Sequence, residues 1–298
     1  MTPRVSILIP AYNERFFAEA LASALAQDFK SLEIVVCDDS AGEAIGERVR
    51  AANDPRVRYV RNPKRLGLEG NFTECLRQAR GELVKFLNDD DRLRAACVSR
   101  LVAAFDVNPL LRLATSRRQV IDAHGMARAD MPATHPVSYV SCVTLGVELG
   151  NLVLMNGLNF IGEPTTVMFR RADVSTDKGI FTWGGVSYRC LADLSMWLRL
   201  LAKGLAYYDA ARLSEYRVHP AQEQRREAID CITERLDLVK EARREGFLAA
   251  PEEYAAALER IDALAKIWAA RPGVSVEDRG VLAELSTTIT NMLAQGGD

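Results

Sequence analysis

The sequence lacks the segments that mark membrane-spanning, secreted and zinc-binding proteins. Its least polar long stretch, from Leu145 to Gly162, is interrupted by glutamate and asparagine, so it does not predict a membrane span. The six cysteines form no CxxC pair, which disfavours zinc and favours reduced thiols in a chain of 298 residues. The first residues also lack the features of a signal peptide. We therefore expect a cytoplasmic protein, with peripheral contact at the inner face of a membrane left open.

An excess of charge of one sign is also missing. The chain has 38 basic and 40 acidic residues, a formal net charge of -2, and no basic run. Such a balance gives no general attraction to nucleic acid, so we expect no nucleic-acid partner. The loop after the first apolar run has no glycine, and no Walker A motif is present, which disfavours nicotinamide cofactors and P-loop phosphoryl transfer.

What the sequence does contain is an alternation of strand and helix patterns. Apolar runs predict strands at residues 5–9, 32–37, 57–60 and 82–87. Helical spacing predicts helices at residues 16–26, 44–52 and 70–80, and three amphipathic helices near 223–245, 252–270 and 277–294. Repeated βα units predict an α/β fold with a mostly parallel sheet and helices on both faces. A loop-rich region from about 107 to 185 follows them, and the last helices are expected to form a cap.

Three adjacent carboxylates close the fourth apolar run. Asp89, Asp90 and Asp91 follow Asn88 at the carboxyl end of the predicted strand, where open α/β sheets bind their ligands. Carboxylates shared with substrate phosphates are typical ligands of Mg²⁺ or Mn²⁺. An alternative is that Asp91 caps a helix starting near Leu93. Three adjacent acids exceed what a cap requires, so the sequence favours a divalent cation.

Two other strand ends carry side chains suited to a nucleoside diphosphate. Tyr12 offers a flat ring for stacking a base, and Asp38 and Asp39 can accept hydrogen bonds from a base or a ribose. Lys64 and Arg65 stand beside glycines and suit a diphosphate, although a surface turn with solvated side chains is the ordinary explanation. Together these positions predict a nucleoside pocket.

The motifs, taken in order, resemble the family 2 glycosyltransferases of the GT-A fold. They are SILIPAYNE at 6–14, IVVCDDS at 34–40, RLGL at 65–68 and LNDDD at 87–91. The resemblance continues through NFIGEPTTVMFR at 159–170 and DLSMWLRL at 193–200 to YRVH at 216–219. It implies a Rossmann-like GT-A domain over residues 1–220, with a nucleotide-sugar half at about 1–105 and an acceptor half at about 106–220. Residues 221–298 form a C-terminal helical extension outside it.

The resemblance also implies roles for single residues. The base and ribose of a nucleotide-sugar would be held by Pro10, Ala11, Tyr12, Glu14 and Asp39. Arg65 is a further expected donor contact because of its charge, as described above. The triplet from Asn88 to Asp90 occupies the family's DxD position, with Asn88 where Asp is common. Metal contact would therefore rest mainly on Asp90, with Asp89 nearer the ribose or sugar and Asp91 as an additional acid.

Two residues near the end of the resemblance match further family positions. Asp193 matches the catalytic base, although Ala192 replaces the usual preceding acid and Asp193 could instead cap the helix at 194–202. Glu163 is the first alternative base. His219 matches a position that reaches the metal or the diphosphate, and the alternative is an ordinary satisfied histidine.

The implied activity is an inverting transfer of single sugars that depends on Mn²⁺ or Mg²⁺. A UDP-sugar is the favoured donor, and a glycan, glycolipid or other hydroxyl compound in bacterial-type surface glycan synthesis is the acceptor. Processive relatives carry a QxxRW motif, whereas residues 222–226 read QEQRR. The region from His124 to Trp183 is the expected lid, with Glu163, Arg170 and Trp183 as sugar contacts. The alternatives are a nucleotidyltransferase on a similar scaffold and a non-catalytic nucleotide-sugar-binding module.

Overall fold

The computed structural model describes residues 2–219 and 228–295. The helices and strands follow in this order: β1 (Val5–Ala11), α1 (Glu14–Leu25), β2 (Leu32–Asp38), α2 (Ala44–Ala52), β3 (Val57–Arg61), α3 (Gly67–Gln78), β4 (Leu83–Phe86), β5 (Arg92–Leu93), α4 (Cys97–Val107), β6 (Leu111–Ile121), β7 (Cys142–Leu145), α5 (Gly146–Asn156), β8 (Met168–Arg170), β9 (Thr182–Trp183), β10 (Val186–Ser187), α6 (Ala192–Leu201), β11 (Leu205–Arg217), α7 (Ala228–Arg244), α8 (Pro251–Ala269) and α9 (Val276–Ala294). Short 3₁₀ turns lie at Pro132–Thr134, Pro164–Thr166 and Arg171–Asp173.

The chain divides into two compact units. The first comprises Met1–Thr144, Asn159–Ile180 and Lys203–Pro220, and the second comprises Leu145–Leu158, Phe181–Ala202 and Ala221–Asp298. Two segments of the expected acceptor half therefore group with the C-terminal helices. The boundary predicted at residue 220 stays a prediction.

A nine-stranded mixed sheet is the centre of the first unit. Its strands run in the order β3-β2-β1-β4-β8-β6-β11-β5, and β7 also pairs with β11. The first four strands are parallel, β8 is antiparallel to both of its neighbours, and β11 runs parallel to β6. Because β1, β2 and β4 point the same way, the residues that follow them lie at one edge of the sheet. The predicted α/β fold with a mostly parallel sheet is confirmed.

The core of this unit explains why its first strands form as predicted. Every residue of β1 and β2 is buried, which is the burial expected of parallel strands covered on both faces. Helix α1 adds Phe17, Leu21 and Ala24 to the same core, at helical spacing. Full burial of each large apolar side chain contributes about 1.5–3 kcal/mol. The polar loops at this edge of the sheet therefore follow strands that are held in a well-packed core.

The second unit is mostly helical. It contains α5 to α9 and the antiparallel hairpin of β9 and β10. Phe247 and Leu198 both lie against Gly150, and the Leu248 N–H donates a 2.8 Å hydrogen bond to Asn151. Among the residues that the structure describes, no helix is long and apolar enough to cross a membrane.

Three expectations need correction. Cys190 and Cys231 form a disulfide, so the prediction of six reduced thiols is wrong for this pair. Helix α5 lies where the sequence predicts loops, because its burial depends on partners distant in sequence. Helix α4 begins at Cys97 rather than near Leu93, since Leu93 pairs with Ser214 of β11. The C-terminal helices are confirmed within the described residues; positions 223–227 of the first, and the QEQRR segment, lie outside them.

Candidate active site

Asp89 links the end of β4 to the end of β1. Its Oδ2 accepts hydrogen bonds from the backbone N–H groups of Tyr12 and Asn13, both at 2.7 Å. Burial raises the pKa of Asp89 to about 7, while the two N–H donors act in the opposite direction. Asp89 therefore fixes the segment in which α1 begins.

Asp91 is buried and holds the acidic turn from inside. Its Oδ1 accepts the backbone N–H of Arg217 at 2.8 Å, and its Oδ2 accepts the hydroxyl of Thr165 at 2.6 Å. Thr165 Oγ1 also accepts the Asn88 N–H at 3.0 Å. Burial, followed by the charge of Asp90, raises the pKa of Asp91. These bonds indicate that Asp91 stabilises the turn. Its role as a metal ligand stays a prediction.

Asp90, like Asp89, is partly exposed, whereas Asp91 is buried. Its side chain is 21% exposed, and its Oδ2 lies 3.1 Å from Nε2 of His219. The His219 ring contacts Phe16 of α1, with 5.1 Å between the ring centroids. Arg217 Nε donates to the Asp90 carbonyl at 2.7 Å and so ties the end of β11 to the triplet. The structure brings together two predicted site residues separated by 129 positions.

A cavity of about 800 Å³ opens at the same edge of the sheet. It is lined by Tyr12, Asn13, Glu14, Asp39, Ser40, Ala41, Gly42, Arg61, Asn62, Pro63, Lys64 and Arg65. Tyr12 is half exposed, and the Arg65 guanidinium lies over its ring at 4.7 Å from the centroid. The volume and the mixture of ring, cations and carboxylates suit a polar small molecule.

Asp39 shapes the loop that carries the cations. Its Oδ1 accepts Asn62 Nδ2 at 2.9 Å and the Leu66 N–H at 2.8 Å, and its Oδ2 accepts the Gly67 N–H at 2.9 Å. Gly67 has a φ of 73°, the left-handed conformation that glycine adopts most easily. Asp39 therefore holds Arg65 at the cavity wall, and its contact with a ribose stays a prediction.

Pro10 and Ala11 lie behind the cavity wall. Both are buried in β1, and the Ala11 carbonyl accepts the Asp39 N–H at 2.9 Å. They place Tyr12 at the end of the strand. Glu14 lines the cavity as the first residue of α1.

The other expected residues are spread over both units. Asp193 lies in the second unit, in the first turn of α6, where its Oδ1 accepts the Leu194 N–H at 2.8 Å. The cap position of α6 is Leu191, so Asp193 is not an N-cap. Glu163 Oε2 lies 2.7 Å from Nε of the buried Arg118 in the first unit.

The expected sugar contacts at Arg170 and Trp183 are not supported. Arg170 pairs with Glu82 at 2.9 Å and faces Leu83, at the start of β4. It lies at the opposite end of this strand from the acidic triplet, so the geometry does not support the predicted sugar contact. Trp183 is buried in β9 of the second unit.

Sequence reasoning missed the residues that support the triplet. Thr165 bridges Asn88 and Asp91, and the fully buried Lys85 donates to the Thr165 carbonyl at 2.5 Å. Burial lowers the pKa of Lys85. A lysine inside the apolar run of β4 was a signal, because a buried charge needs a polar partner.

Comparison with known proteins agrees with this architecture. The family described as Glycosyl transferase family 2 matches residues 6–134. An uncharacterized protein of Mycobacterium tuberculosis (strain CDC 1551 / Oshkosh) is 32% identical over 238 residues, covering 75% of this chain and 70% of its own. A GalNAc(5)-diNAcBac-PP-undecaprenol beta-1,3-glucosyltransferase of Campylobacter jejuni is 38% identical over 104 residues, about a third (34%) of each chain.

Solved structures share the fold at low identity. S. aureus TarS in complex with UDP-GlcNAc aligns with a TM-score of 0.63 and 14% identity, covering 98% of this chain and 92% of that one. The mannosyltransferase PcManGT of Pyrobaculum calidifontis, in complex with GDP-Man and Mn²⁺, aligns with a TM-score of 0.53 and 17% identity, covering 99% and 84%. The chain is therefore a glycosyltransferase with the GT-A fold and belongs to glycosyltransferase family 2.

Proposed function

We propose that the protein transfers a sugar from a nucleotide-sugar to a hydroxyl acceptor, with inversion and with the help of a divalent cation. The observation that carries this proposal is the pairing of Asp90 with His219 at the carboxyl end of β4. Asp89 connects that pair to Tyr12, which lines the cavity. In this proposal the leaving diphosphate and the nucleoside bind at adjoining places in the first unit.

The residues present fit a divalent cation that shares its ligands with the substrate. Asp90 and His219 offer one carboxylate and one imidazole, and no group of three such side chains in residues 2–219 or 228–295 is arranged to hold an ion. Mg²⁺ and Mn²⁺ are commonly bound by one or two carboxylates together with substrate phosphates. When bound, the ion would offset the negative charge that grows on the leaving diphosphate.

The cavity fits the nucleoside and diphosphate of the donor. Tyr12 offers a stacking surface, while Lys64 and Arg65 supply positive charge for phosphate oxygens. A UDP-sugar is the favoured donor, because TarS binds UDP-GlcNAc and two Escherichia coli relatives are named as enzymes that use UDP-Glc. In this proposal Glu14 and Asp39 help to orient the ribose and base.

Asp193 is the proposed base, because it matches the position of the catalytic base in the family. Its carboxylate would take the proton of the acceptor hydroxyl as that oxygen bonds to the anomeric carbon. The bond from this carbon to the phosphate oxygen breaks in the same step, and its electron pair leaves with the nucleoside diphosphate. Attack from the opposite side inverts the anomeric configuration.

We further propose a lipid-linked sugar as the acceptor. The Campylobacter jejuni and Escherichia coli relatives are named for acceptors joined to undecaprenol through a diphosphate. Such an acceptor fits synthesis of a bacterial surface glycan at the cytoplasmic face of a membrane.

Ligand-dependent stability and product formation test the proposal. We expect UDP to raise the melting temperature with Mn²⁺ and to have little effect without it, because the triplet otherwise repels phosphate. At 100 times the dissociation constant, the added stability is about 2.7 kcal/mol. UDP-glucose and a GlcNAc-diphosphate lipid should then yield UDP and an elongated lipid, analysed for anomeric configuration. Stabilisation by UDP that survives both Mn²⁺ removal and Asp90→Ala would refute the metal site, and absence of transfer and of donor hydrolysis would favour the non-catalytic alternative.

A further inference from the structure

Three consecutive backbone N–H groups in the second unit converge on one carboxylate. Arg189 donates to Oε1 of Glu234, and Cys190 and Leu191 donate to its Oε2, each at 2.9 Å. The donors form the segment directly before α6, whereas Glu234 lies on α7. Hydrogen bonds to an ionised acceptor are about twice as strong as neutral ones. Glu234 therefore anchors the start of α6 from another helix.

A covalent bond fixes the same segment. Cys190 is joined to Cys231, and their Cα atoms are 5.1 Å apart. Cys231 precedes Glu234 by three positions on α7, so both side chains leave the same face of that helix. Residues 189–191 are thus held to α7 by a disulfide and by three charge-assisted hydrogen bonds.

Asp193 follows this anchored segment directly. It lies two residues after Leu191, in the first turn of α6, and its charge interacts with Arg235, the residue after Glu234. Burial lowers the pKa of Arg235, with the charge of Arg260 as the next cause, and Asp193 acts in the opposite direction. Helix α7 therefore carries both the carboxylate that anchors residues 189–191 and a cation whose charge acts on Asp193.

We propose that Glu234 and the Cys190–Cys231 disulfide are positioning groups that orient Asp193 for proton removal. The inference rests on the base role proposed above for Asp193. Glu234 acts through the backbone of residues 189–191 and not on the substrate. A C-terminal helix outside the family motifs thereby takes part in the transfer step.

The first test compares two full-length variants of α7. Glu234→Gln removes the carboxylate, and Asp237→Asn makes the same charge change at an exposed position three residues further on. The rate of UDP release from UDP-glucose is measured with Mn²⁺, once without acceptor, as hydrolysis, and once with acceptor, as transfer. Each series gives kcat and KM. We expect kcat of Glu234→Gln to fall about tenfold to 100-fold, because small misplacements of a catalytic group cost rates of this order. The KM of Glu234→Gln for UDP-glucose should equal that of the parent. Asp237→Asn should keep the parental kcat and KM.

The second test reduces the disulfide in the unmodified protein. A dithiol such as dithiothreitol gives two electrons and two protons to the Cys190–Cys231 bond, which yields two thiols and leaves the reagent as a cyclic disulfide. We expect kcat to fall on reduction and to recover on reoxidation, with KM unchanged. The doubly substituted Cys190→Ser/Cys231→Ser protein should start at the lower kcat and not respond.

Asp193→Asn separates failure of this inference from failure of the proposed base. If Asp193→Asn transfers sugar with the parental kcat, both the base assignment and the positioning inference are refuted. If it is slow while Glu234→Gln and the reduced protein keep parental kcat, the positioning inference alone is overturned, even when their melting temperatures are lower. Adding Glu234→Gln to Asp193→Asn should slow the enzyme no further, and an additional tenfold loss would contradict the inference. If Glu234→Gln does not fold, the reduction experiment decides.

Discussion

At the residue scale, the acidic triplet divides three similar side chains among different tasks. Asp89 binds the backbone after β1, Asp91 is buried against Thr165 and the Arg217 backbone, and Asp90 keeps access to solvent beside His219. Neighbouring carboxylates repel each other, and the charge of Asp90 raises the pKa of both others. The outer two have partners that hold the turn, so Asp90 with His219 is the proposed place for a cation.

His219 is expected to contribute directly to metal binding. His219→Ala should raise the Mn²⁺ concentration required for half-maximal stabilisation by UDP about tenfold or more, because a metal-binding nitrogen is removed. Thermal unfolding at fixed UDP and varied Mn²⁺ measures this. His124→Ala, at an exposed histidine, is the matched control and should match the parent. Equal Mn²⁺ requirements in both variants would contradict the assignment.

Thr165 is expected to matter through the turn that it holds. Thr165→Val keeps the shape but removes the hydroxyl that serves Asp91 and Asn88. We expect a loss of about 1–3 kcal/mol in the free energy of unfolding, the usual cost of an unsatisfied buried polar group. The affinity for UDP with Mn²⁺ should also weaken, as measured by calorimetry. Thr288→Val, on the exposed face of α9, controls for the substitution, and a Thr165 variant with parental affinity would refute the role.

At the element scale, agreement between sequence and structure follows the range of the interactions. Strands β1, β2 and β4 are predictable because both of their faces are buried, so local hydrophobicity suffices. Leu93 pairs with Ser214, a partner 121 positions away, and no local pattern indicates that pairing. Asp90 and His219 stand in motifs that suggested a common site, and Lys85 inside the apolar run of β4 signalled a buried polar partner. Only the fold shows that this partner is Thr165.

The start of α3 depends on the backbone conformation of Gly67. A Cβ at Gly67 would meet nothing within 4 Å, but its φ of 73° disfavours any side chain. We expect Gly67→Ala to lower the free energy of unfolding by about 1 kcal/mol, because left-handed backbone costs an L-residue about that much. Urea denaturation measures the change.

Gly42→Ala is the matched control for this prediction. Gly42 lines the same cavity, a Cβ there would also meet nothing within 4 Å, and its backbone shows no positive φ. The substitution should be neutral or slightly stabilising. Equal effects of the two substitutions would show that the left-handed turn is not what limits the position.

At the scale of the whole molecule, the C-terminal helices are part of a folded unit. Asn151 of α5 donates to Glu253 at 3.0 Å and accepts the Leu248 N–H, and Phe247 fills the space over Gly150. Ending the chain after His219 should expose the apolar faces of α5 and α6. We expect a sharp loss of soluble monomer by size-exclusion chromatography. A monomeric truncation that still binds UDP with Mn²⁺ would show that donor binding does not need this unit.

The two hydrogen bonds that Asp89 accepts from Tyr12 and Asn13 have a thermodynamic consequence. One carboxylate joins Tyr12, the proposed stacking surface, to the turn that carries Asp90, so we expect occupation of either place to change the affinity of the other. Such coupling is reciprocal: whatever factor the cation adds to the affinity for the nucleotide, the nucleotide adds to the affinity for the cation. Loss of either ligand would then weaken the binding of the other by the same factor.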